Sequence, residues 1–129
     1  MRKILITISN LSVSAELNNS VSADKIWEAL PLSGSANVWG DEIYFEIPVS
    51  LKEVSDAQQE VEVGTLAYWP PGSALCVFFG KTPVSTNDKP KAYSPVNVLG
   101  LVDGDSRVFK IVEAGDQIVI DKRDMIHVN

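Results

Sequence analysis

Hydrophobic and polar positions alternate most regularly from Glu42 to Val49. Ile43, Phe45, Ile47 and Val49 fall on one side of this stretch and Glu42, Tyr44 and Glu46 on the other. A period of two marks a strand with one core face and one wet face. Comparable β-rich runs occupy Lys3–Ile8 and Ser12–Leu17, parted by Ser9-Asn10 as in a hairpin, and then Gln59–Val63, Thr65–Trp69, Ala74–Phe79, Val96–Val102 and Gln117–Asp121. Gly64, Pro70-Pro71-Gly72 and Asp103-Gly104-Asp105 punctuate them as turns. Two segments carry helical spacing instead. Ser22 stands as an N-cap ahead of Asp24 and of an apolar face made by Ile26, Trp27 and Leu30, with Pro31 as the stop. Val108, Ile111 and Val112 give Ser106–Glu113 a second helical face, ended by Gly115. Ser33-Gly34-Ser35 reads as a loop. Roughly eight strands, mostly hairpin-connected, with two short helices predict a mainly β fold closed into a barrel, which removes sheet edges.

Length and composition narrow the function classes. The 129 residues make one domain, residues 1–129, without repeat or long linker. Eleven Lys+Arg against 17 Asp+Glu give a net charge of -6, an acidic protein unsuited to nucleic acid. One Cys and one His, Cys76 and His127, cannot assemble a zinc site or a disulfide, and a catalytic triad would have to use a histidine near the end of the sequence. Arg2-Lys3 is followed by too short an apolar run for a signal peptide, and no stretch approaches the roughly 20 apolar residues of a membrane span. A soluble, cytoplasmic protein is the expectation, with Cys76 a small buried hydrophobe rather than a nucleophile.

Lys81–Pro95 differs in kind. Pro83, Pro90 and Pro95 stand among Ser85, Thr86, Asn87 and Asp88, and the spacing predicts a long surface loop. Around it, Trp39-Gly40-Asp41-Glu42-Ile43-Tyr44-Phe45, Leu66-Ala67-Tyr68-Trp69-Pro70-Pro71-Gly72, Ala74-Leu75-Cys76-Val77-Phe78-Phe79-Gly80 and Ser94-Pro95-Val96-Asn97-Val98 together resemble a family of small bacterial and archaeal proteins called cyclophilin-like. Val98–Val102, Asp103-Gly104 and the helical face up to Gly115 resemble the late strand, turn and helix of cyclophilins. The resemblance spans nearly the whole chain. It implies a closed, roughly eight-stranded cyclophilin-like barrel, and no activity of its own.

Prolyl isomerisation by cyclophilins relies on an arginine that stabilises the twisted amide and a histidine that shapes the proline pocket. The resemblance matches the arginine's strand to Val38-Trp39-Gly40-Asp41, which has no basic residue, and the histidine to the neighbourhood of Val96. The only arginines are Arg2, Arg107 and Arg123. An electrostatic contribution of this type is worth several kcal/mol, so no catalytic residue is assigned and no significant isomerase activity is expected.

The aromatic residues then carry the best functional reading. Tyr68 and Trp69 lie on opposite sides of one strand, and on the next Cys76 and Phe78 share one side and Val77 and Phe79 the other, so one of the two sets on each strand must face outward or into a groove. Rings beside prolines suit recognition of a peptide or flat ligand. Glu42 and Glu46, about 13 Å apart at about 3.3 Å per residue, sit on a solvated face and are too widely spaced for a glycosidase pair. Asp103-Gly104-Asp105 lacks the further acidic ligands of a calcium loop. The expectation is a non-catalytic barrel without metal or cofactor, binding a peptide or small molecule through Trp39, Glu42, Tyr44, Glu46, Tyr68, Trp69 and Phe78. The alternatives are a weak isomerase and a standalone relative of the cyclophilin-like barrels in urea-amidolyase-type enzymes; a homo-oligomer stays open.

Overall fold

Isoleucines at every second position make Arg2–Ile8 (β1) a strand whose Ile4, Ile6 and Ile8 are buried. A two-residue turn at Ser9-Asn10, with Ser9 at φ 55, folds Leu11–Leu17 (β2) back onto it. These elements come from a computed structural model that describes residues 2–123. His127 lies outside the described residues. The remaining strands are Leu32–Ser35 (β3), Asn37–Val38 (β4), Glu42–Glu46 (β5), Gln58–Glu60 (β6), Thr65–Trp69 (β7), Ala74–Phe78 (β8), Lys91–Val102 (β9) and Gln117–Lys122 (β10). All form one antiparallel sheet in the order β3-β10-β1-β2-β9-β7-β8-β5-β4, with β6 added to β9.

The fold is mainly β, but the sheet is not closed into a barrel. Its end strands β3 and β4 follow each other in sequence and share no ladder. Ala36 carries the chain from one edge to the other, donating to the Asp116 carbonyl at 2.8 Å and accepting from the Gly115 N–H at 2.8 Å. The edges meet through packing instead. A methyl group at Gly34 would stand 2.9 Å from the Phe45 ring. Four- and two-residue edges leave little free ladder to protect, so closure by hydrogen bonds is not needed.

The helix (α1) runs Val21–Ala29, its cap two residues earlier than the expected Ser22. Ser20 is the cap: its Oγ accepts from the Ala23 N–H at 3.1 Å. Ser22 is buried and accepts from Asn97 Nδ2 at 3.2 Å. The second expected helix is a 3-10 helix over Ser106–Ile111. Its period is three, so Ser106, Phe109 and Val112 turn inward while Val108 and Ile111 stay exposed. The predicted loop Lys81–Pro95 is also shorter than expected, because β9 begins at Lys91 and contains Pro95. Pro95 is tolerated where the β6–β9 register shifts between Gln58, paired with Val96, and Glu60, paired with Lys91.

Alternation on the central strands separates two cores. Ile43, Phe45, Leu66, Tyr68, Leu75 and Val77 join the main core with α1 and β1. Ala67, Ala74, Cys76 and Phe78 face the other way, into a smaller cluster with Val61, Ala92 and Val96. Asn97 ties the 52–54 segment down across the sheet. Its Nδ2 donates to the Lys52 carbonyl at 2.9 Å and its Oδ1 accepts from the Val54 N–H at 3.1 Å.

Candidate functional site

The smaller cluster is the floor of a cleft of about 200 Å3, lined by Trp39, Glu42, Tyr44, Trp69, Ala92, Tyr93 and Val96. Local backbone geometry explains why these residues converge. Gly40 and Asp41 form the two-residue turn between β4 and β5, and Trp39 and Glu42 exchange both backbone hydrogen bonds across it, at 2.9 and 3.2 Å. A hydrogen-bonded antiparallel pair presents both side chains on the same face. Gly40 has φ +60, and a methyl group there would stand 3.0 Å from the Lys81 carbonyl. Glycine is therefore required both for the turn and for its contact with the 81–83 segment. Tyr44, two residues beyond Glu42, repeats on the same face.

Trp69 reaches the cleft from β7 and is held rigidly. Its indole Nε1 donates to Ser94 Oγ at 2.7 Å. Its ring lies over Gly72, where a methyl group would come within 2.5 Å of the indole. Tyr93, largely exposed, stands between the two tryptophans: its ring centroid is 6.3 Å from Trp39 at 70° and 6.2 Å from Trp69 at 89°. These edge-to-face contacts fix the rings at steep angles to one another and make the cleft wall aromatic on several sides.

Glu42 departs from its expected solvated face. Only 6% of it is exposed. Burial raises its carboxyl from the ordinary 4.5 to about 7, and the neighbouring Cys76 thiol pulls the other way. Burial likewise pushes the Cys76 thiol well up, with the Glu42 charge adding to it. Among the described residues no ion pair involves Glu42, and no Lys, Arg or His lines the cleft. Other acids between positions 41 and 62 have basic partners at the surface: Glu62 meets Lys89 at 3.2 Å, and Asp41 is turned to Lys110 at 4.0 Å.

Of the expected site residues, Trp39, Glu42, Tyr44 and Trp69 come together. Glu46 is exposed at the end of β5 and does not line the cleft. Tyr68 is fully buried on the opposite face, its hydroxyl donating to the Val49 carbonyl at 2.7 Å and accepting from the Leu51 N–H at 3.0 Å. Phe78 is fully buried in the floor cluster. Both fill space, and neither offers a surface to a ligand. Ala92, Tyr93 and Val96 were missed: Ala92 and Tyr93 belong to the proline-rich stretch read as loop, and Val96 opens the strand expected after it; a bulky Tyr93 among small polar neighbours was the available signal. Among the described residues no group of three or more His, Cys, Asp or Glu gathers as for a metal, and no helix is long and apolar enough to cross a membrane.

Fold and cleft together define a small mainly β domain with an aromatic pocket on the outer face of a curled sheet. A family model described as cyclophilin-like matches residues 2–121, and the chain belongs to that family. The solution structure of the hypothetical protein AF2241 from Archaeoglobus fulgidus is similar at 35% identity and TM-score 0.79, over 95% of each chain. McbB, solved in complex with tryptophan, shares the fold at 13% identity and TM-score 0.64; the alignment covers 98% of this chain and 46% of McbB. No curated protein matches the chain.

Proposed function

We propose that this cyclophilin-like domain is a binding protein, and that its ligand, a small molecule or a single side chain of a peptide, enters the cleft at Trp39, Glu42, Tyr44, Trp69 and Tyr93. The observation that carries the reading is the cleft itself, with four preset aromatic rings around one buried carboxyl. Ordered rings of this kind give up little entropy on binding and bury much area. At about 200 Å3 the space is smaller than the roughly 300–1,000 Å3 that takes drug-sized ligands, which favours a compact group. Trp39 and Val96, which lie where the resemblance matches the cyclophilin arginine and histidine, both line this cleft. On that match the polar chemistry of an isomerase is replaced by aromatic and apolar side chains, which supports binding without isomerase turnover.

Ligand screening by thermal shift, repeated on Tyr44→Ala and Trp69→Ala, tests the reading. Tryptophan, the molecule in the McbB structure, belongs in the screen. Hits that stabilise the wild type and lose their shift in both variants support the cleft. Hits whose shifts are unchanged in both variants, or a library with no hit, remove it.

A further inference from the structure

We infer that the group this cleft takes is an organic cation, a methylated ammonium, with Glu42 as its counter-charge; the inference rests on the cleft being a binding site. Four rings, Trp39, Tyr44, Trp69 and Tyr93, wall a space whose only carboxyl among the described residues is Glu42. Aromatic faces attract cations through their quadrupoles, and most strongly where water is excluded. A carboxylate buried without a basic partner is unfavourable, and a cation arriving from solution supplies that missing partner. An anionic ligand would meet no basic side chain here and an acid in the floor.

The walls also choose among cations. A metal ion requires several oxygen ligands, and the cleft offers one carboxyl and two phenol hydroxyls among aromatic carbons. A primary ammonium brings three N–H donors that need acceptors, which rings do not provide. Methylation removes those donors and covers the charge with apolar surface that fits the rings. The volume of about 200 Å3 holds such a headgroup rather than a large ligand.

Proton linkage follows from the position of Glu42. The titratable side chains sharing the cleft or its floor are Tyr44 on its own strand, Cys76 from β8 and Tyr93 from β9, while Asp41 in the adjoining turn faces Lys110. Burial holds the Glu42 carboxyl near 7 in the free protein, so it is partly protonated at neutral pH. A bound cation favours the ionised form and releases that proton to solvent. Affinity for a cation therefore rises with pH, by about tenfold between pH 6 and pH 8, and levels off above the free-protein value.

The test titrates the full chain with choline, with its uncharged carbon isostere 3,3-dimethylbutan-1-ol, and with indole, following tryptophan fluorescence and amide shifts of cleft residues. Choline should bind at least about tenfold tighter than the isostere, with the stated pH rise. In Glu42→Gln the preference for choline and its pH dependence should both vanish, while indole binding persists. Equal or tighter binding of the isostere, or choline affinity that is flat or falls with pH, overturns the cation assignment. If indole or the isostere still perturbs the cleft in that event, the binding-site reading stands. A cleft silent to all three probes overturns both.

Discussion

Replacing Glu42 by glutamine should stabilise the protein at neutral and alkaline pH, although it removes a charge from an acidic chain by only one unit. Above the ordinary value of 4.5 the unfolded chain releases this proton, while the folded protein retains it up to about 7. The folded state therefore binds more protons in that window, and the contribution of Glu42 to stability falls as pH rises from about 4.5 to about 7 and is constant beyond. A separation of two and a half pH units corresponds to about 3.5 kcal/mol at about 1.4 kcal/mol per unit, of which about 2.5 kcal/mol is lost between pH 5 and pH 8. Glutamine has nearly the same volume and stays neutral throughout, so its stability curve lacks this descent. Urea unfolding of both proteins at several pH values isolates the effect, because every other titrating group is common to the two and cancels in the difference. The difference, variant minus wild type, should grow by about 2.5 kcal/mol from pH 5 to pH 8. A difference that stays flat, or shrinks with rising pH, would show that Glu42 ionises freely and that its burial has been misread.

Three further outcomes follow from the same geometry. Tyr68→Phe leaves the Val49 carbonyl and the Leu51 N–H without their shared partner and should cost about 1–3 kcal/mol in urea unfolding, with choline affinity unchanged because Tyr68 faces away from the cleft. Gly72→Ala pushes a methyl group against the Trp69 indole, so the ring must shift; ligand affinity should drop and the tryptophan emission move to the red, with about 1–3 kcal/mol lost from overpacking. Cys76, fully buried and with its thiol pushed up, should not react with Ellman's reagent at pH 8 in the native protein and should react fully in urea; prompt native-state labelling would contradict its placement.

Five strands, β1, β2, β7, β8 and β10, lie within about a residue of the pattern-based expectation. In β1 and β10 alternation fixes the buried face, while β7 and β8 are buried on both faces and stand out as short apolar runs bounded by turn residues. β3 and β4 were not legible. Leu32–Ser35 is a polar, glycine-containing edge that pairs because β10 offers a ladder, and Gly34 is there to admit the Phe45 ring. Tertiary context overrode local preference at both places, and with it went the closed barrel. The second helix failed on period: a reading at 3.6 residues per turn selects Val108, Ile111 and Val112, whereas the 3-10 geometry buries Ser106 and Phe109 with Val112 and leaves Val108 and Ile111 exposed.

For the site, alternation foresaw that Tyr68 and Trp69 must part, but could not say which would enter the core. The deciding contacts are long-range. Tyr68 finds the 49–51 segment for its hydroxyl, and Trp69 finds Ser94 and the bare Gly72. Glu42 was misplaced for a related reason. Alternation did put it on the face opposite Ile43 and Phe45, yet equated that face with solvent. On β5 the second face is itself covered, with Phe78 and Cys76 beside it on β8 and Tyr93 across the cleft, so the same period of two leads from the core to a second apolar cluster. Only Glu46, one step past the cover, is wet. The two carboxylates share a strand and a face and differ in what lies across from them. That difference moves one of them toward neutrality at pH 7 and sets it among four aromatic rings. A strand with two buried faces and one acid on the second is the pattern to seek in relatives, because the acid has no packing reason to be there.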